Sequence, residues 1–187
     1  ACTSHEHLAS GVGSIAAEAA LIAGQPSSAA VGFAISTLTA SSGSQMALAM
    51  AAGMASGKVN IANGATCDTS AGAAAEAAVA AGASQDHRAD VTAFIAGEAC
   101  VAQGLSQLEA ADAASAAVKA AGGSVVAIAK AAGLAAGTAH IAVGSTAEVA
   151  AQSSALAAEL KGISQNRLAS VVSSIAAEAV VAMLRPL

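Results

Sequence analysis

The side chains with the most chemical potential in this chain are three glutamates that share one setting. Glu18, Glu98 and Glu178 each stand in an Ile-Ala-Ala/Gly-Glu-Ala run, and a nitrogen-bearing residue precedes each by eleven positions: His7, His87 and Arg167. A carboxylate in apolar surroundings can hold a raised pKa and serve as an acid or base, or join a histidine on a metal. Within one helix that partnership fails. Eleven residues make about three turns, so the two groups share a face but stand about 16 Å apart along the axis. They can meet only across a junction between neighbouring antiparallel helices. The expectation is therefore a buried structural pair at Glu18, Glu98 and Glu178 with His7, His87 or Arg167, rather than a reaction centre.

Other chemistry is thinly represented. A dimetal centre in a bundle core would need Glu-x-x-His, which does not occur. His5, Glu6 and His7 near Cys2 have the donor types for a transition metal, but His5 becomes Gln85 and Gln165 in the later copies of the same stretch, so a solvated chain end is the simpler reading. His140 replaces Asn60 in the repeat and reads as a polar junction residue. The nucleophile elbow Gly-x-Ser-x-Gly is absent, as is a phosphate-cradling glycine loop ending in Lys-Ser/Thr. No catalytic residue, metal site or cofactor is assigned, and an enzyme is not expected.

The elements that carry these residues repeat. Sliding the chain along itself gives one dominant offset of 80 residues: Ala51-Ala52-Gly53-Met54-Ala55-Ser56-Gly57 falls on Ala131-Ala132-Gly133-Leu134-Ala135-Ala136-Gly137, and Ser84-Gln85 on Ser164-Gln165. The opening stretch recurs in phase three times, at Ile15, Ile95 and Ile175. One domain, 1–187, is thus read as unit 1 (1–80), unit 2 (81–160) and a partial unit 3 (161–187).

Each unit reads as helices, because Ala is the strongest helix former and period-two alternation is scarce. In unit 2 the expected segments are a helix capped by Ser84 and stopped at Gly104, a second from Leu105 to Ala121, a third from Val125 to Ala136, a connector from Thr138 to Val143, and a fourth from Ser145 to Leu160. The fold class is all-α: a tightly packed Ala/Gly-rich helical repeat array or bundle of about nine segments. An Ala/Gly-rich β-solenoid is the alternative, since VNIANGAT and AHIAVGST alternate briefly. Gly53/Gly57 and Gly133/Gly137 lie four apart on one helix face and allow backbones to approach closely.

Composition limits the uses of such a scaffold. Hydrophobic residues are 56% of the chain but aromatics only 1%, so the apolar content is mostly Ala. Charged residues are 10%, against about a quarter in ordinary soluble domains, so the surface favours being covered. The net charge is −5, with seven scattered Lys and Arg and too few aromatics for stacking, which argues against nucleic acid. Ala19 to Ser56 carries no charge over a bilayer-spanning length, but Gln25, Pro26 and many Ser and Thr interrupt it without an aromatic belt, so no membrane span is expected. Cys2, Cys67 and Cys100 allow one internal disulfide and leave one thiol free or available to cross-link another chain. The first residue is Ala1 rather than Met, which fits a processed, secreted protein.

These features lead to the expectation of an extracellular structural or assembly protein, a building block of a fibre, silk, byssus, egg-coat or adhesive-type material whose partner is itself. The apolar face of the last helix, Leu168, Val171, Val172, Ile175, Val180 and Met183, is expected to dock head-to-tail onto another molecule, with Cys2 as a covalent lock. The alternatives are an ice-binding protein using a flat Ala/Thr face and a carrier for an apolar ligand.

Overall fold

A computed structural model describes residues 3–41 and 43–183, and gives side chains except at 3–7, 178 and 181–183. Among the described residues the chain is helix and turn, with no strand. The helices are α1 (Thr3–Ile22), α2 (Ser27–Ala40), α3 (Gln45–Ala62), α4 (Cys67–Ala80), α5 (Gln85–Ala102), α6 (Gln107–Ala120), α7 (Val125–Ala142), α8 (Ala147–Leu160) and α9 (Gln165–Met183). The β-solenoid alternative falls: VNIANGAT and AHIAVGST are the last turns of α3 and α7 with the tight turns after them.

Local chemistry sets the boundaries. Ser44, Thr66, Ser84, Ser106, Ser124 and Thr146 each accept a hydrogen bond from the backbone N–H three residues on, so six helix starts carry side-chain caps. At Ser106 the cap is reciprocal, since Glu109 reaches back to the Ser106 N–H. The exits need a left-handed residue: Gly64 after α3 has φ +74° and Gly82 after α4 has φ +83°.

The helices recur at half the interval that the sequence offset predicts. The long helices α3, α5, α7 and α9 begin at 45, 85, 125 and 165, and the short helices α2, α4, α6 and α8 at 27, 67, 107 and 147, each 40 residues after the last. Each 80-residue interval thus holds two pairs of one long and one short helix. The expected connector at Thr138–Val143 is likewise corrected. Helix α7 runs on to Ala142, because Thr138 is buried against α5 and continues the packed face.

The long helices lie side by side in one layer, α1 on α3, α3 on α5, α5 on α7 and α7 on α9, and the short helices bridge them from the other side. Each long helix turns one face forward to the next and another back to the previous one. Gly13, Gly53, Gly97, Gly133 and Gly137 face forward; an added Cβ at these positions would lie under 3 Å from atoms of the next element. At Gly57 it would stand 2.5 Å from Ile95 Cγ1, and at Gly137 2.7 Å from Ile175 Cγ1. The back-facing knobs are Val91 and Ile95 on α5, and Val171 and Ile175 on α9, all buried. Where the forward residue opposes a smaller neighbour, as Gly13 does Ala51, the backbone itself makes the contact.

Most of the interior is alanine, and Leu38, Met54, Ile95 and Ile175 are among its few large fully buried side chains. Such a core gains little per residue from burial, so its stability rests on many close contacts. Helix α7 has the length and hydropathy to cross a membrane, but most of it is buried between α5, α6, α8 and α9.

Gly57→Ala therefore sets helix propensity against packing. Although Ala is the better helix former, the substitution is expected to lower stability by about 1–3 kcal/mol through overpacking on Ile95. Gly72→Ala, where nothing lies within 4 Å of the new methyl, is expected to raise it by about 0.5–1 kcal/mol. Urea denaturation of both variants tests the contrast.

Candidate functional site

The junctions between long helices gather most of the polar side chains that face one another. At the α3/α5 junction Lys58 Nζ lies 2.7 Å from Glu98 Oε2, and at the α5/α7 junction Lys130 Nζ lies 2.7 Å from Asp90 Oδ1. Lys58 also stands 5.8 Å above the Phe94 ring centroid, held on one side by the carboxylate and on the other by the aromatic face. Both members of the Lys58–Glu98 pair are part-exposed, so the pair contributes about 0.5–1 kcal/mol at most and fixes register more than stability.

This arrangement corrects the expected Glu–His and Glu–Arg pairs. The partner of Glu98 is Lys58; His87 instead turns to its own helix start, with Nδ1 2.8 Å from Ser84 Oγ, and Arg167 is exposed. Glu18 is exposed on α1. The side chains of His7 and Glu178 lie outside those described. The cause is helix direction. Successive long helices run parallel, because a short return helix separates them, so a residue meets its counterpart about 40 positions on, as Lys58 meets Glu98. A histidine eleven residues earlier lies at the far end of the junction, about 16 Å away.

Several contributors were not singled out in the sequence. Gln103 donates to Ala65 O at 2.7 Å and accepts from Cys67 N at 3.3 Å, which ties the end of α5 to the turn before α4. Gln85 accepts from Ser124 N at 2.9 Å, while Gln45 and Arg88 donate to Ala81 O and Ala121 O in turns that precede later long helices. Lys58 and Glu98 were legible as opposite charges 40 residues apart, but only once that period is known.

Burial moves the pKa of Asp90 above its usual value, and Lys130 offsets part of that rise. Glu109 is held below its usual value by the backbone and hydroxyl hydrogen bonds of Ser106. Desolvation lowers the pKa of His140, whose Nδ1 lies 3.0 Å from Ser145 Oγ. None of these groups converges with another donor into a reactive set, and no cluster of metal-ligating side chains occurs among the described residues.

Cys67 and Cys100 form a disulfide between α4 and α5, while Cys2 lies outside the described residues. The bond lines a surface cleft of about 300 Å³ together with Asp68, Leu105, Glu109, Asp112, Ala113 and Ala116, and Asp112 is paired with Lys161 at 2.8 Å. Of the face expected for assembly, Val171 and Ile175 are buried against Gly133 and Gly137 of α7; they hold α9 to its own chain and cannot face outward. Leu168 and Val172 are half-buried, Val180 is exposed, and the Met183 side chain lies outside those described.

Reduction of Cys67–Cys100 closes no new contacts and opens a loop of 33 residues in sequence separation, so it is expected to lower stability by about 3–4 kcal/mol in a denaturant titration. His140 makes a separate pH-dependent contribution. Its folded pKa lies below the unfolded value of 6.5, so the unfolded chain binds the proton more readily and stability is lost as pH falls below about 6.5. Relative to the native chain, His140→Asn is expected to flatten the melting temperature between pH 7.5 and 5.5. No protein-family model, curated protein or solved structure matches this chain, so its function rests on the geometry of its helices.

Proposed function

We propose that the chain is an extracellular structural protein, a helical repeat array that serves as a building block by associating with copies of itself end to end. The observation that carries this reading is the contrast among three equivalent isoleucines. Ile95 and Ile175 are each 0% exposed beneath the preceding long helix, whereas Ile15, at the same position of α1, is 68% exposed. Leu8 and Ile22, one heptad either side of Ile15, are also exposed, so α1 presents three apolar side chains on one face, with the exposed Glu18 between Ile15 and Ile22. Repeat arrays bury such faces between neighbours and require something to cover them at the ends.

Other features support the same reading. The Cys67–Cys100 disulfide suits an oxidising, extracellular setting. The junction carboxylates Glu98 and Asp90 are held by lysines, which favours scaffolding over acid–base work. The ice-binding alternative loses Thr92 and Thr138 to the interior. The carrier reading meets three carboxylates, Asp68, Glu109 and Asp112, beside Leu105, Ala113 and Ala116 in the cleft at the disulfide.

Sedimentation and light scattering across micromolar to millimolar protein, with and without reductant, test the proposal together with electron microscopy. The expected result is a mass that grows with concentration and elongated particles at the upper end. A species that stays at 17.4 kDa throughout would overturn it.

A further inference from the structure

The Cys67–Cys100 disulfide borders a cleft of about 300 Å³, a volume that admits a small thiol, although Cys67 is only 3% exposed and Cys100 0%. A reagent must therefore reach the sulfurs through the cleft. Asp68, Glu109 and Asp112 stand on that route, and Lys161 is paired with Asp112, so the three carboxylates outweigh the one cation. The two sulfurs also differ as leaving groups. Cys67 is the first residue of α4, where the free N–H groups of a helix start favour a thiolate, whereas Cys100 lies in the last turn of α5, at the negative end of its helix. Asp68, beside Cys67, offsets part of that preference. A second fastener spans the same junction, since Gln103 bonds both Ala65 O and Cys67 N.

We propose that this cleft is a thiol–disulfide exchange site that takes small ammonium-bearing thiols and turns away anionic ones, and that the pair cycles between disulfide and dithiol with α4 still docked on α5. The attacking thiolate forms a bond to Cys100 Sγ, the Sγ–Sγ bond breaks, and its electron pair leaves on Cys67, which takes a proton from water. A second thiolate then attacks the small thiol's sulfur in the mixed disulfide. It releases the Cys100 thiolate, which is protonated in turn, and a small symmetrical disulfide. Two external thiols are thus oxidised to one disulfide while the protein disulfide is reduced to two thiols. The carboxylates act on the first step, drawing an ammonium group toward the sulfurs and repelling a carboxylate or sulfonate. Gln103 keeps the start of α4 on α5 after the bond has opened.

The test follows reduction of the folded chain by cysteamine, 2-mercaptoethanol and 2-mercaptoethanesulfonate at low salt, read by alkylation and mass spectrometry. Each rate is divided by the same thiol's rate with 2-hydroxyethyl disulfide, which removes differences in nucleophilicity. Cysteamine is expected to exceed the sulfonate at least about tenfold, with 2-mercaptoethanol between them. Salt at about 0.5 M should close most of that gap. Asp68→Asn and Glu109→Gln should each narrow it, the second without loss of the helix start, because glutamine also completes a capping box. Mixed disulfide trapped by acid should sit on Cys100. The reduced native chain should keep its circular dichroism and its slow amide exchange at the start of α4, protection that reduced Gln103→Ala loses. Equal normalised rates for the three thiols at low salt would overturn the charge selection, and adduct on Cys67 would overturn the assigned direction of attack. Rates that do not rise with thiol concentration would mean that the bond opens only on unfolding, and would overturn exchange in the folded chain.

Discussion

Gly57 lies under the branched side chain of Ile95 and Gly137 under Ile175, with no room for one further carbon at either place. That closeness governs the layer of long helices. A core built mainly of alanine has little apolar area to bury per residue, so it depends on backbones coming near enough for many weak contacts to add up. Glycine in mid-helix costs propensity, yet it is kept at these positions because the knob opposite would otherwise overlap. Bulk and its absence alternate from one junction to the next. Val91 and Ile95 meet glycines at α3/α5, whereas Ala135 and Thr138 lie over Gly97 at α5/α7.

Around that constraint the polar residues arrange themselves in parallel register. Lys58–Glu98 and Lys130–Asp90 each join equivalent positions, 40 residues apart, on successive long helices, and Gln45, Gln85, Gln103 and Arg88 satisfy backbone groups in the turns. Part-exposed ion pairs add little stability, so their main effect is to disfavour slipped registers. The Cys67–Cys100 bond fastens a short helix to the long helix that follows it. The array is thus specified by contacts between neighbours.

The helical class and many of the boundaries were readable from residues alone. Ser84 and Thr146 cap where their positions imply, and Gly104, Gly122 and Gly162 follow helix ends. The 40-residue spacing was also present, in turn glycines at 24, 64, 104 and 144, but the 80-residue offset hid it. Alternate long helices exchange Ile for Ala at the same position, Ile95 against Ala55 and Ala135, which lowers identity at 40 and leaves it high at 80. The end of α7 was misplaced for a related reason. Gly137 resembles a helix stop until Ile175 is seen to occupy its missing side chain.

What the sequence determined by itself is local: alanine favours helix, Ser and Thr start each run, and glycine in a left-handed turn ends it. The tertiary structure decided direction and partners. Because a short helix intervenes, successive long helices run parallel, which brings Glu98 to Lys58 and keeps it from His87 or Arg167. The same geometry turns Val171 and Ile175 inward and leaves Ser173, Ala177 and Ile15 outward, although Ile15 and Ile175 occupy identical places in the pattern. Which copy of a repeated residue is covered depends on whether another helix stands before or behind it. That is a property of position in the array, which the residue and its neighbours in sequence do not carry.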